Sequence, residues 1–347
     1  MVEKSIGLGV IGLGMGSNVL AINHVLDSKL VVKGICDISE DKLRTLAKKW
    51  QIPFWTTDYR QLSTQEDIQV VAIFSPDHLH AEHALAAMHA GKHVICTKPM
   101  CTSVEDAAQM VHLVDRSHLK FLVGQTMRFD PEFANAKLMY EDGDLGEIIF
   151  AEAHYIHDAR TFFPSSPWRM QAPQDLMYGG ACHPIDVLRW FLGDVEEVHA
   201  YGRKSGLIPN YPYEDDYLIN LKFKNGAVGR VLTACGVVQP PIATMQVVLY
   251  GTKATLVSQY GDQVNGYSRV VFDKLVKKPV ATLVYPAETE GGLGSAVIRF
   301  LLHFEECLDK DLEPSPGVRE GARTIAVGSA AWESIRKGGV FKPRLDF

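Results

Sequence analysis

The stretch Ile6-Gly7-Leu8-Gly9-Val10-Ile11-Gly12-Leu13-Gly14-Met15-Gly16-Ser17 decides the fold of this 347-residue chain. An apolar run of Val, Ile and Leu enters a set of glycines, and a helix-compatible segment, Asn18-Val19-Leu20-Ala21-Ile22, follows. A strand that turns sharply into a helix on Gly-x-Gly offers bare backbone N–H groups and a helix N-terminus to a pyrophosphate. Gly12 stands at the tight turn, and Gly14 where phosphates must approach without a Cβ. Ser17 takes the third fingerprint position and is small enough for close helix–strand packing. The other formal match, Gly7-x-Gly9-x-x-Gly12, puts the turn inside the strand and is rejected.

Working outward, Leu30–Cys36 reads as a second buried strand that ends at Asp37. An acidic residue roughly 20 residues past the glycines accepts the ribose hydroxyls in this motif. No Arg follows closely, and a carboxylate repels a 2′-phosphate, so NAD is favoured, with NADP the alternative. Asp37 is also placed to cap a helix over Glu40–Lys49. Gln69–Phe74 has the continuous apolar character of a strand covered on both faces. It leaves the sheet at Ser75-Pro76, at the carboxyl edge where open α/β folds bind ligands. A helix over Ala81–Ala90 closes on Gly91. A strand His93–Cys96 then leads into Thr97-Lys98-Pro99, and a helix Val104–Ser117 and a strand Phe121–Gly124 complete the alternation. This is the pattern of a doubly wound parallel sheet.

Beyond residue 124 the pattern changes. Alternating strands are expected over Glu147–His157, Val195–Gly202, Tyr217–Lys224, Ala227–Val238, Met245–Tyr250 and Arg269–Leu275. One helix is inserted over Ala181–Leu192, and two late helices cover Ser295–Leu308 and Gly317–Arg336. The expectation is α/β with two domains: a dinucleotide-binding Rossmann domain over 1–124, and an α+β domain with a large open antiparallel sheet over 125–347.

Composition excludes several classes. Lys and Arg number 35 against 41 Asp and Glu, a net charge of −6, and no basic block suggests nucleic acid or an anionic membrane. The six cysteines show no CxxC spacing, and no apolar run is long enough to span a bilayer. A reduced, cytoplasmic protein is expected. His78, His80 and His83 are not spaced to put three imidazoles on one helix face, so they are read as surface or capping residues and no metal is expected.

In order, the glycine turn, Ser75-Pro76 with His80, Ala90-Gly91-Lys92-His93-Val94, Lys98-Pro99, Arg128-Phe129 with Pro131, and Cys182-His183-x-x-Asp186-x-x-x-Trp190-x-x-Gly193-Asp194 resemble the glucose–fructose oxidoreductase / inositol dehydrogenase (Gfo/Idh/MocA) family. The resemblance covers nearly the whole chain. It implies a nicotinamide-dependent oxidoreductase acting on a sugar, polyol or related cyclic hydroxy compound. It also implies a homodimer or homotetramer built through the C-terminal sheet. Lys98, His183 and Asp186 are the implied catalytic residues. A base must take the hydroxyl proton as hydride leaves, and His suits that task near neutrality. Gly12, Gly14, Met15, Gly16, Asp37, Ser75, Pro76, His80, Lys98 and Arg128 are the implied cofactor contacts. Trp168 and Arg169, in a Pro- and aromatic-rich loop, and Asp175 are candidates for substrate. Two positions depart from the family: Thr97 replaces the Glu before Lys98, and Gly179 replaces an Asp four residues before His183. Asp175 is the nearest upstream carboxylate. A redox-neutral NAD-dependent glycosidase and a non-catalytic dinucleotide-sensing regulator are the rival readings.

Overall fold

A computed structural model describes residues 5–160, 162–163, 166–172, 174–238, 241–261, 264–272, 281–284 and 292–347. By its contacts the chain divides into two compact units, one of residues 1–126, 293–322 and 347, the other of residues 127–292 and 323–346.

The first unit holds a six-stranded, wholly parallel sheet. In chain order its elements are β1 (Ile6–Ile11), β2 (Leu30–Cys36), α1 (Glu40–Trp50), β3 (Phe54–Thr56), α2 (Tyr59–Ser63), β4 (Val70–Ile73), α3 (His80–His89), β5 (His93–Thr97), α4 (Val104–Asp115) and β6 (Phe121–Gly124). The strand order is β3-β2-β1-β4-β5-β6, so the winding reverses between β1 and β4. Two helix starts follow directly from the sequence. Ser39 caps α1 and Ser103 caps α4, each accepting a backbone N–H, with acidic residues in both first turns. Gly91, at φ +73°, lets the chain leave α3. The segment after the glycines, Met15–His24, is wound as a 3₁₀ helix.

The second unit continues through α5 (Pro131–Glu141), β7 (Ile148–Ile156), α6 (Pro167–Gln171), α7 (Leu176–Gly179), α8 (Cys182–Leu192), β8 (Val195–Arg203), β9 (Asp216–Phe223), β10 (Val228–Ala234), β11 (Met245–Gly251), β12 (Ala254–Gly261), β13 (Val264–Phe272) and β14 (Ala281–Val284). Its eight strands run in the order β14-β13-β12-β11-β7-β10-β9-β8. The expected open antiparallel sheet is present with one parallel pairing, β10 beside β7, because the chain crosses to the sheet edge through α6–α8 and returns inward through β8 and β9. The strands β12 and β14 and the helix α5 were not anticipated. The expected end of the sixth strand, at 273–275, lies outside the described residues. Burial alternates along β9 and β11, as for strands with one covered face. The apolar stripe of α8 packs on β7, β10 and β11, while α5 packs on β12 and β13.

The last two helices are α9 (Gly292–Asp309) and α10 (Val318–Lys337). The sequence expectation of one unbroken second domain after residue 124 does not account for residues 293–322, which group with the first unit. There Phe300 lies against Phe74, and Glu305 accepts from Ser28 Oγ at 2.7 Å and from the Lys29 N–H at 3.0 Å. The Val123 N–H donates to Pro316 O. An apolar sheet face needs a cover, and distant sequence supplies it. No helix among the described residues is long and apolar enough to cross a membrane.

Candidate functional site

In the first unit the carboxyl ends of β1, β2, β4 and β5 carry most of the residues singled out above. Gly12 turns at φ +86°, donating its N–H to Cys36 O, while the Phe74 N–H donates to Ile11 O. A Cβ on Gly12 would stand 2.6 Å from the Phe74 carbonyl and from the Ser75 nitrogen, so both conformation and space demand glycine. Around Gly14, by contrast, an added Cβ would meet nothing within 4 Å. Met15 is exposed beside it. Gly16 is buried, and its added Cβ would press on the Phe74 side chain at 2.9 Å, so it serves helix–strand packing. Ser17 folds back to donate from Oγ to Gly14 O at 2.8 Å.

Asp37 reaches across to this turn. Its Oδ2 accepts from the Leu13 N–H at 2.8 Å, its Oδ1 accepts from the Ser39 N–H at 3.0 Å, and Lys42 Nζ lies 3.2 Å away. A fixed carboxylate beside an open glycine turn fits the ribose and pyrophosphate of a dinucleotide. Ser75 and Pro76 stand half-buried at the end of β4, and Lys98, also half-buried, follows β5 directly.

The histidines overturn an expectation. His80 and His83 are interior, not surface, side chains. His80 is fully buried, with Nδ1 2.6 Å from Pro99 O and Nε2 2.7 Å from Ser75 O, so no ring nitrogen is left for a cofactor. His83 pairs through Nδ1 with Ser75 Oγ at 2.9 Å, and burial pushes it down to about 4. Among the described residues no three His, Cys, Asp or Glu side chains gather as metal ligands. All six cysteines are buried and none is in a disulfide.

In the second unit His183 occupies the first turn of α8, 3% exposed, with its ring stacked on Tyr155 at 5.2 Å between centroids. One turn on, Asp186 is bound by Arg128: Nε donates to Oδ2 at 2.7 Å and Nη2 to Oδ1 at 2.8 Å. Both side chains are almost wholly buried, and Thr324 Oγ1 lies 3.4 Å from Asp186 Oδ1. The pair holds Asp186 and Arg128 to each other, so Asp186 is placed to orient the first turn of α8.

Asp175 is similarly engaged. It caps α7, accepting the Met177 N–H at 2.9 Å, and its other oxygen accepts from Trp332 Nε1 at 2.8 Å. Desolvation pushes it up to about 6. Tyr211 is buried and steadies the same loop. It donates to Gln174 O at 2.6 Å and accepts from the Leu176 N–H. Arg169 stacks over Trp168 at 4.6 Å and donates from Nε to Gln174 Oε1, which holds the two half-buried side chains in place. Pro164 and Ser165 of that loop, and Thr161, lie outside the described residues. Sequence reasoning missed Tyr155, Tyr211, Thr324 and Trp332. All four work through contacts distant in sequence, and no local motif marks them.

Such an arrangement defines a Rossmann nucleotide-binding oxidoreductase with a C-terminal α/β domain. Residues 6–125 match the model of the oxidoreductase family's NAD-binding Rossmann fold, and residues 137–342 match the model of its C-terminal alpha/beta domain. The chain belongs to the Gfo/Idh/MocA oxidoreductase family, and residues 6–125 are that family's NAD-binding domain. It is 31% identical over 229 residues to a levoglucosan dehydrogenase of Pseudarthrobacter phenanthrenivorans, covering 58% of each protein. With the uncharacterized oxidoreductase YrbE of Bacillus subtilis it shares 29% identity, over 65% of this chain and 66% of that relative. The chain thus spans about six-tenths to two-thirds of the length of these two relatives. With inositol 2-dehydrogenase 2 of Saccharopolyspora erythraea the identity is 26%, over 97% of this chain and 91% of the other. The solved complex of levoglucosan dehydrogenase with NADH and levoglucosan superposes with a TM-score of 0.86 at 25% identity, over 98% of this chain and 99% of that one.

Proposed function

We propose that this protein is an NAD-dependent dehydrogenase that oxidises a secondary hydroxyl of a sugar, polyol or related cyclic hydroxy compound, with Lys98 and His183 moving the proton. The observation that carries the reading is the setting of His183: an imidazole in the first turn of α8, stacked on Tyr155, one turn from a buried Arg128–Asp186 pair. The names of the relatives, levoglucosan and inositol dehydrogenases, support the substrate class. Bound NAD supplies the hydride acceptor; the turn at Gly12 and Gly14 and the carboxylate of Asp37 would hold it. Neutral His183 accepts the hydroxyl proton as the C–H bond breaks. Lys98 donates a hydrogen bond to the oxygen on which negative charge grows. Asp186 acts through Arg128 and the helix, orienting His183. Trp168 offers an aromatic face, and Arg169 hydrogen-bond donors, to a sugar ring.

The test is NADH formation by the purified protein across a broad sugar and polyol panel. Lys98→Ala and His183→Ala are each expected to lose about 10²–10⁴-fold in kcat, the usual worth of a positioned acid or base. Variants that keep the wild-type rate, or a panel without turnover, would overturn the reading. Aglycone release without net NADH would replace it with redox-neutral glycoside cleavage. We further propose that the protein works in the cytoplasm, which six unbridged buried cysteines support, and as a homodimer or homotetramer through its eight-stranded sheet. That sheet exposes Ile149, Tyr201, Val228 and Val271, and sedimentation of the full chain tests the assembly.

A further inference from the structure

We propose that His80 donates from both ring nitrogens, to Ser75 O and Pro99 O, and as an imidazolium pins the Lys98 loop to the loop that follows β4. A neutral imidazole has one N–H and one lone pair, so it satisfies one carbonyl and opposes the other. Here both nitrogens sit at strong hydrogen-bond distance, 2.6 and 2.7 Å, from oxygens that only accept. The ring is fully buried, so water cannot relieve a mismatched lone pair. Two donated bonds from a charged ring resolve the geometry, and charge-assisted bonds are the stronger kind.

The clamp sits where two loops meet: the 3₁₀ turn Asp77–Leu79 leads directly into His80 at the start of α3. Lys98, in the clamped loop, is half-buried. The two carbonyls belong to residues 24 apart in sequence, at the carboxyl ends of β4 and β5, which are neighbours in the sheet. One buried ring therefore sets the spacing of the Ser75-Pro76 and Lys98-Pro99 segments. His80 is a positioning residue: it acts on Lys98 through the backbone of Pro99. The catalytic part of this inference rests on the reading of Lys98 given above; the protonation state does not.

Selective ring-¹⁵N labelling of the histidines in the full chain, with long-range proton–nitrogen correlation at pH 7, reads the state directly. The His80 ring, identified as the one missing in His80→Gln, is expected to show two protonated nitrogens. One protonated and one bare nitrogen would overturn the proposal whatever the activity. His80→Gln keeps one donor and is expected to lower kcat at least tenfold while the KM values for NAD and sugar stay within about threefold. His80→Leu, with no donor, is expected to fall further. A folded His80→Gln with unchanged kcat would refute the positioning role. Loss of rate in His80→Gln without loss in Lys98→Ala would sink the reading of Lys98 and leave the clamp standing.

Discussion

Removing the carboxylate of Asp186 breaks a buried pair with Arg128. The two side chains are 2% and 3% exposed, joined by bonds of 2.7 and 2.8 Å, with the guanidinium 5.4 Å from the Trp190 ring. Asp186→Ala takes the paired carboxylate away from a buried guanidinium, a change that costs about 3–5 kcal/mol. A unit of this size shifts its midpoint by about 2–4 °C per kcal/mol, so a fall of about 6–20 °C is expected. Thermal and urea unfolding of the full chain, followed by tryptophan fluorescence, measures it. The double variant Arg128→Met/Asp186→Leu removes both charges and keeps apolar volume. It is expected to recover most of the loss, because the penalty comes from a buried charge parted from its carboxylate and not from the missing bonds. As a surface comparison, Lys222→Ala breaks the exposed pairs with Glu196 and Glu197 and should leave the unfolding midpoint nearly unchanged. An Asp186→Ala protein within about 1 kcal/mol of wild type, or a double variant as unstable as the sum of the singles, refutes the argument.

Three further outcomes are expected. Gly12→Ala drives a methyl to 2.6 Å from the Phe74 carbonyl and forces a strained φ of +86°; calorimetric titration should show NAD binding lost, and retained affinity would remove the turn from the site. Asp37→Ala deletes the acceptor of the Leu13 N–H, and the KM for NAD should rise about tenfold, the worth of one hydrogen bond to a charged group, with discrimination against NADP reduced. Asp175 has the opposite pH signature from an ordinary paired carboxylate. Its folded value, raised from 3.8 to about 6 by burial, means the native state holds a proton more tightly than the unfolded chain. Stability is therefore lost as pH rises from about 4 to 6, by a few kcal/mol at full deprotonation. Asn at this position keeps the cap and the Trp332 contact without charge, so Asp175→Asn should flatten that slope; an unchanged slope would show that another group carries it.

Much of the first unit was legible because its signals are local. Val- and Ile-rich runs covered on both faces, Gly12 at a turn that only glycine fits, and Asp37 at a fixed distance along the chain all follow from neighbours in sequence. Strand order and the reach of Asp37 to Leu13 come from the same right-handed winding. Family membership was legible through the order of short motifs around Lys98 and His183, and the glycine at 179 marked where a carboxylate is absent.

What the sequence left open depends on partners far along the chain. Burial of His80 between two carbonyls, the binding of Asp186 by Arg128 and of Asp175 by Trp332, and the parallel placement of β10 beside β7 carry no periodic or local signature. The helix α9 reads as an ordinary amphipathic segment, and only packing shows that it covers the first sheet. Local chemistry thus determined which groups are available, a glycine turn, an acid, a lysine and histidines. Tertiary structure decided which remain accessible and which are consumed as clamps, because a buried polar group takes whatever partner the fold brings to it.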